Sequence, residues 1–279
     1  MTLLATRTAV RLVRFTPETS RATEMLDAMQ RAAGRSGVDL ISARSSTVAP
    51  WLLLWGPGAP DRLAPMRQQL AAGGHVIALD LAYWQRETKV RVSIDAAHPQ
   101  AWVLRRDWPT SRFDRAGVAV RDRWNPTGPV IVAGLGRKAR VQYGEAAVLA
   151  WESDMIRACA TRWPMRPVHY RRKQADAPLP LGASLASDAP IEQVLDGASL
   201  VITWHSNVAV DAIRLGVPVV CRDGAAAAVY PAGLDTADPA PIPVALRDRF
   251  LANLAWFQWA PSEASACWAW LQEVLACES

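Results

Sequence analysis

The sequence predicts an α/β fold, built as two parallel sheets with helices on both faces. Three observations predict it. Short runs rich in Val, Ile and Leu alternate with stretches of helical period along most of the 279 residues, the pattern of strands joined by helical crossovers. The alternation breaks off in an Arg- and Trp-rich stretch and restarts near residue 128, which predicts two units rather than one. Hydrophobic residues make up 51% of the chain, enough to bury sizeable cores.

Val10–Phe15 is a short β-rich run. Residues 19–33 carry Met25, Leu26, Met29 and Ala32 at helical spacing, and Gly34 and Gly37 follow as stop signals. Trp51–Trp55 is a continuous apolar run closed by Gly56-Pro57-Gly58, as expected of a buried parallel strand. Residues 61–72 read as a helix ended by Gly73-Gly74, and Val76–Leu79 as the next strand. Residues 89–94 alternate Val90, Val92 and Ile94 with polar neighbours, which predicts a half-exposed strand. The stretch from Arg105 to Pro129 holds six arginines and three aspartates and reads as a loop. After it come a strand at 129–133, a glycine turn at Gly134-Leu135-Gly136, a long helix at 143–162 and a strand at 167–170. A short helix at 191–196, a strand at 200–203, a helix at 207–215 and a strand at 217–221 follow. The tail, 244–276, reads as two helices split by Pro261. The implied boundaries are 1–127, 128–243 and 244–279.

No apolar run is long enough to cross a bilayer. Arg7, Arg11 and Arg14 interrupt any signal-peptide core, so a cytoplasmic location is expected. The cysteines Cys159, Cys221, Cys267 and Cys277 form no C-x-x-C pair and have no histidine at ligand spacing, which points to buried thiols and against zinc or a disulfide framework. Residues 1–173 hold 27 Lys and Arg against 14 Asp and Glu, and residues 174–279 hold 4 against 12. A basic part followed by an acidic part suggests a polyanionic partner for the first, or an Arg-rich composition with no such partner.

The most informative stretch is SLVITWHSNVAVDAIRLGVPVVCRDG, residues 199–224: a strand, a polar turn, an apolar helix, Gly216 and a second strand. His205, Ser206 and Asn207 stand where the helix begins. Ser206 or Asn207 can cap it, and a phosphate is well received at unpaired helical N–H groups. Asp211 and Arg214, three apart, can pair. The spacing S-x-x-x-x-[E]-A-x-x-x-G-x-P-V-V, met here as Ser206, Asp211, Ala212, Gly216, Pro218, Val219 and Val220, resembles the donor-site signature of GT-B glycosyltransferases. The resemblance is closest to the capsule-polysaccharide (Kdo) transferases and extends to phage DNA glycosyltransferases. It covers about a tenth of the chain, and Asp211 stands where most members have Glu.

That resemblance implies two Rossmann-like domains facing a cleft, with C-terminal helices packing back across both. It implies a nucleotide-sugar donor such as UDP-glucose as co-substrate, with no other cofactor and no metal. The donor would be held by Gly134, Gly136, Arg137 and Lys138 in the glycine turn, by Arg171 and Lys173 in HYRRK, and by His205, Ser206, Asn207 and Asp211. Asp211 would take the ribose hydroxyls. Glycines admit a diphosphate to the backbone and cations neutralise it; a solvated basic loop is the other reading of HYRRK. For the base that takes the acceptor proton the candidates are Asp80, at the end of a strand, and Asp95 and His98 in SIDAAHP. The basic 1–127 domain would hold the acceptor. Arg105, Arg106, Trp108 and Arg112 mix cations and aromatics as surfaces that bind phosphates and stack on bases do. They suggest DNA carrying 5-hydroxymethylcytosine as acceptor, in a host cytoplasm if the protein is phage-encoded. A capsule or surface glycan, and a GT-B-like binding protein without catalysis, are the alternatives.

Overall fold

The structure, a computed structural model, describes residues 8–15, 18–42, 49–234 and 240–276. The chain forms two compact units. One comprises residues 1–97 and 257–279, the other residues 98–256.

The first unit opens with β1 (Thr8–Val13), α1 (Ser20–Ala33), β2 (Val38–Ser42), β3 (Trp51–Trp55), α2 (Pro60–Ala71), β4 (His75–Leu81) and β5 (Val90–Ile94). The Thr19 hydroxyl caps α1 by accepting the Ala22 N–H at 3.3 Å, and Met25, Leu26, Met29 and Ala32 form its buried stripe. Every residue of β3 is buried, because parallel strands flank it on both sides: Trp51 pairs with Val10 of β1 and His75 of β4.

The second unit runs through α3 (Ser111–Ala116), β6 (Val130–Ala133), α4 (Arg137–Tyr143), α5 (Glu145–Arg162), β7 (Val168–Arg171), β8 (Ser184–Leu185), α6 (Ile191–Leu195), β9 (Leu200–Thr203), α7 (Val208–Arg214), β10 (Val219–Cys221) and α8 (Val244–Ala255). Its sheet has the order β10-β9-β6-β7-β8, parallel throughout. The first strand lies in the middle. The chain adds β7 and β8 on one side, then crosses and adds β9 and β10 on the other. The switch point between β6 and β9 is where such sheets open a crevice beyond the strand ends.

The chain then returns to the first unit as β11 (Gln258–Trp259) and α9 (Ala264–Ala276). The first sheet is β11-β5-β4-β3-β1-β2. β5 is antiparallel to β4, and β11 antiparallel to β5. The Gln258 side chain accepts the N–H groups of Tyr83 at 2.8 Å and Trp84 at 3.2 Å. The Trp268 indole donates to the Met29 carbonyl at 2.9 Å, fastening α9 to α1.

Two α/β units are as the sequence predicts; the second sheet is parallel throughout, and the first is parallel over β4-β3-β1-β2 with β5 and β11 antiparallel at one edge. Several details differ. β5 is fully buried, not half-exposed: β11 covers its edge, Arg91 pairs with Asp80 at 3.2 Å and the Ser93 hydroxyl donates to the Ala78 carbonyl at 3.3 Å. The helix expected at 143–162 is α5, which starts at Glu145 behind Gly144 at φ +86°, and a further helix, α4, precedes it at Arg137–Tyr143. The tail helices are divided between the units, α8 in the second and α9 in the first. The two compact units divide at 97/98 and 256/257, and α8 holds the segment before α3 in the second. Asn253, buried, accepts the Trp108 N–H at 2.9 Å and donates to the Val103 and Arg106 carbonyls at 2.9 and 2.8 Å, drawing residues 103–108 into the second unit. Cys159, Cys221 and Cys267 are buried thiols; Cys277 lies outside the described residues. Among the described residues, no helix is long and apolar enough to cross a membrane.

Candidate functional site

Loops leave the C-terminal edge of the second sheet after each of its five parallel strands. The loop after β6 is the glycine turn. The Gly134 N–H donates to the Arg171 carbonyl at 3.0 Å, and the Tyr170 hydroxyl fills the space a side chain would need. A Cβ on Gly136 would stand 3.1 Å from Lys173 Cδ and 3.7 Å from its Nζ, so the lysine lies along the exposed face of the turn. Beneath the turn is a buried network. Glu152, fully buried, receives Arg140 Nη2 at 2.7 Å and the Tyr170 hydroxyl at 3.1 Å on one carboxylate oxygen. Burial and then the Glu152 charge push the Tyr170 phenol well above its ordinary range, so it remains a neutral donor.

The basic residues divide into two kinds. Arg137 and Lys138 are exposed at the start of α4. Arg137 makes an ion pair with Asp176 at 3.2 Å, and its backbone N–H donates to Gln174 at 2.9 Å. Lys173 lies over Gly136. Arg171, in contrast, is spent on the polypeptide: it donates to the Ser187 and Ala189 carbonyls and pairs with Asp188 at 3.4 Å.

The loop after β9 is the histidine turn. The Ser206 N–H donates to Thr203 Oγ1 at 3.2 Å, and the Ser206 hydroxyl accepts the Val208 N–H at 3.4 Å. Asn207 makes no side-chain cap bond, so of the two capping candidates Ser206 fills the role. α7 is seven residues long, so its macrodipole is small, and an anion here depends on side-chain cations. Asp211, partly buried, lies 3.8 Å from Arg214, which also binds Glu192 and the Ala119 carbonyl. Gly216, at φ +72°, ends the helix with a Cβ direction closed by Asp122 at 3.1 Å.

Around His205 the structure gathers an aromatic group absent from the sequence reading. Tyr143 stacks on Trp204 at 4.8 Å, Arg222 lies over the Trp204 ring at 4.1 Å, and Tyr143 is 5.8 Å from the His205 ring. His98, buried, has its ring centroid 5.8 Å from that of His205. Gln100, two residues on, donates to Asp223 in the loop after β10 at 2.9 Å. In that loop a Cβ on Gly224 would stand 3.2 Å from the His205 Cα.

The three base candidates have different surroundings. His98 lies beside the histidine turn. Asp80, near the C-terminal end of β4 in the first unit, pairs with Arg91 and accepts the Leu81 N–H at 2.8 Å. Asp95 accepts the Val76 N–H at 2.8 Å and holds His75 at 2.9 Å. Both partners stand at the start of β4. Because β5 runs antiparallel, its end returns to the edge opposite the one where parallel sheets bind ligands. Asp95 closes a strand end there. Of the expected acceptor residues, Trp108 and Arg112 are buried, Arg106 is partly buried and Arg105 is exposed. Arg105 lies over Trp102 at 4.0 Å and Arg106 over Trp108 at 3.9 Å. Trp108 stacks on Trp256 at 5.0 Å, and Arg112, buried, donates to the Ala255 carbonyl at 3.4 Å. Trp108 itself is 7% exposed.

No protein-family model and no curated protein matches the sequence. Among solved structures, the chain is similar to KpsC of Thermosulfurimonas dismutans, a beta Kdo 2,7 transferase. The TM-score is 0.53 at 12% identity, over 95% of this chain and 99% of that one. A beta Kdo 2,4 transferase of the same organism's KpsC gives 0.50 at 11%, over 96% and 98%. At such identities the likeness is one of fold alone, an α/β fold with two Rossmann-like units.

Proposed function

We propose that the protein is a glycosyltransferase that takes a nucleotide-sugar donor at the C-terminal edge of the second sheet. One observation carries this assignment: the glycine turn, with Lys173 along it, and the histidine turn flank the switch point between β6 and β9. The donor phosphate would meet the glycine turn with Lys173, Arg137 and Lys138 as counter-charges. The Ser206 turn and Asp211 would meet the rest of the nucleotide. His98, 5.8 Å from His205, would take the proton of the acceptor hydroxyl as its oxygen bonds to the anomeric carbon and the sugar–phosphate bond breaks. Asp80 is the second candidate for that role.

A glycan is the preferred acceptor, since the two similar structures are Kdo transferases. DNA carrying 5-hydroxymethylcytosine rests on the basic run through residue 173. Counted by compact unit, that asymmetry is nearly lost. Residues 1–97 with 257–279 hold 12 basic and 11 acidic groups, and residues 98–256 hold 19 and 15. Net charges of +1 and +4 give little of the phosphate attraction that DNA binding needs.

The test is a transfer assay with UDP-, GDP- and CMP-sugars, on acidic oligosaccharides and on duplex DNA with and without 5-hydroxymethylcytosine, read by mass spectrometry. A sugar-sized gain on an oligosaccharide supports the glycan. A gain confined to hydroxymethylated DNA moves the acceptor to DNA. Nucleotide-sugar binding without transfer or hydrolysis leaves a non-catalytic binding protein, and no binding overturns the assignment.

A further inference from the structure

Leu135 is the middle residue of the glycine turn, and both of its backbone polar groups are held by side chains. Its N–H donates to Glu152 Oε1 at 2.9 Å, and its carbonyl accepts from Arg140 Nε at 3.1 Å. Arg140 and Glu152 are joined to each other at 2.7 Å and are 4% and 0% exposed. The third member, Tyr170, donates to Glu152 at 3.1 Å and lies 3.1 Å from Arg140. A turn with glycine on both sides has little conformational preference of its own. Leu135 itself is buried, so its peptide groups need protein partners. An ion pair sealed from water is a costly way to supply them, since apolar residues of similar size often serve stability as well.

We infer that Arg140 and Glu152 are positioning residues of the donor site, which set the Gly134–Gly136 turn in its phosphate-receiving shape by gripping both faces of Leu135. This rests on the assignment of that turn to the donor phosphate. It assigns Arg140 the opposite of a direct role. Three residues after Arg137, it is the cation of the turn that never meets the donor, and its charge is spent on Glu152. Glu145, at 3.8 Å from Nη1, is its outer neighbour and is exposed.

The experiment separates the grip from folding. In the double variant R140M/E152L the buried pair becomes apolar; the full-length protein is expected to fold with a lowered melting temperature, since the Leu135 N–H and carbonyl and the Tyr170 hydroxyl lose their partners. Glu152→Gln retains an acceptor for Leu135 but removes the charge opposite Arg140. Two readouts are taken on each: binding of UDP, GDP and CMP by calorimetry, and amide hydrogen exchange of the peptide spanning 132–137. The expected result for the double variant is at least a tenfold loss of nucleotide affinity and at least tenfold faster exchange at Leu135, with smaller changes for E152Q. Unchanged affinity in a folded double variant overturns the inference while leaving the donor site in place. Failure of the unaltered protein to bind any of the three nucleotides overturns the donor assignment, and the inference with it. If the double variant fails to fold, E152Q decides by the same two readouts: affinity and Leu135 exchange both at the original values overturn the inference, and both shifted support it.

Discussion

The Tyr170 hydroxyl lies 2.2 Å from the point where a Cβ on Gly134 would stand, with the ring carbon Cζ at 2.7 Å. Neither partner is free to move. Tyr170 is 1% exposed and tied to Glu152 and Arg140. Gly134→Ala must therefore displace the tyrosine, and an added methyl in a packed site costs about 1–3 kcal/mol. Chemical unfolding is expected to show a loss in that range together with weakened nucleotide binding. Gly144→Ala has open space around its Cβ but strained backbone at φ +86°, and is expected to lose stability without a loss of binding.

The base candidates are separable by kinetics. His98→Gln is expected to lower kcat about 10²- to 10⁴-fold, with the donor KM nearly unchanged. Asp95→Ala is expected to leave kcat unchanged and to cost about 1–3 kcal/mol of stability, because the Val76 N–H and His75 lose their acceptor. A collapse of kcat in Asp80→Asn with a minor effect in His98→Gln would reverse the assignment of the base.

Asn253 ties the Trp108 amide and two carbonyls to α8. Asn253→Leu removes all three bonds at a buried position, a loss of about 2–4 kcal/mol at roughly 1 kcal/mol each. Limited proteolysis should then cut within residues 103–110 faster than in the original protein, while β6 to β10 stay protected.

Burial pushes the thiols of Cys159 and Cys221 up to about 12 from an ordinary 9.0. The unfolded chain releases these protons first, so their contribution is intact below pH 9 and is lost as pH rises toward 12. Each thiol removes about 1.4 kcal/mol per pH unit across that window. The melting temperature is expected to fall steeply from pH 9 to 11, and less so in the double variant C159A/C221A. A thiol reagent at pH 8 should leave both unlabelled in the native protein.

What the sequence makes visible is local. The run Trp51–Trp55 is apolar at every position, and a strand with neighbours on both sides has no other pattern available. The glycine turn and the Ser206 turn were visible because their residue types are constrained by backbone shape. What depends on distant pairing was hidden. β11 has two residues, too few for any periodicity, and the burial of β5 depends on it. The bonds of Asp95 to the Val76 N–H and His75 depend on the antiparallel pairing of β5 with β4, which SIDAAHP does not reveal. Glu152 left a mark that went unread: it occupies the buried stripe Val148, Glu152, Ile156, Cys159 of α5, and a lone carboxylate in such a stripe must have a partner.

The return of the chain at residue 257 has a consequence for biosynthesis. The second unit is one continuous stretch, 98–256, whereas the first needs β11 and α9 from the far end of the chain. Emerging from the ribosome in order, the second unit has all its residues while the first still has β5 as an open edge and α1 uncovered. The half that is translated first is thus completed last, and a nascent chain halted before residue 257 exposes a strand edge ready to pair with another copy.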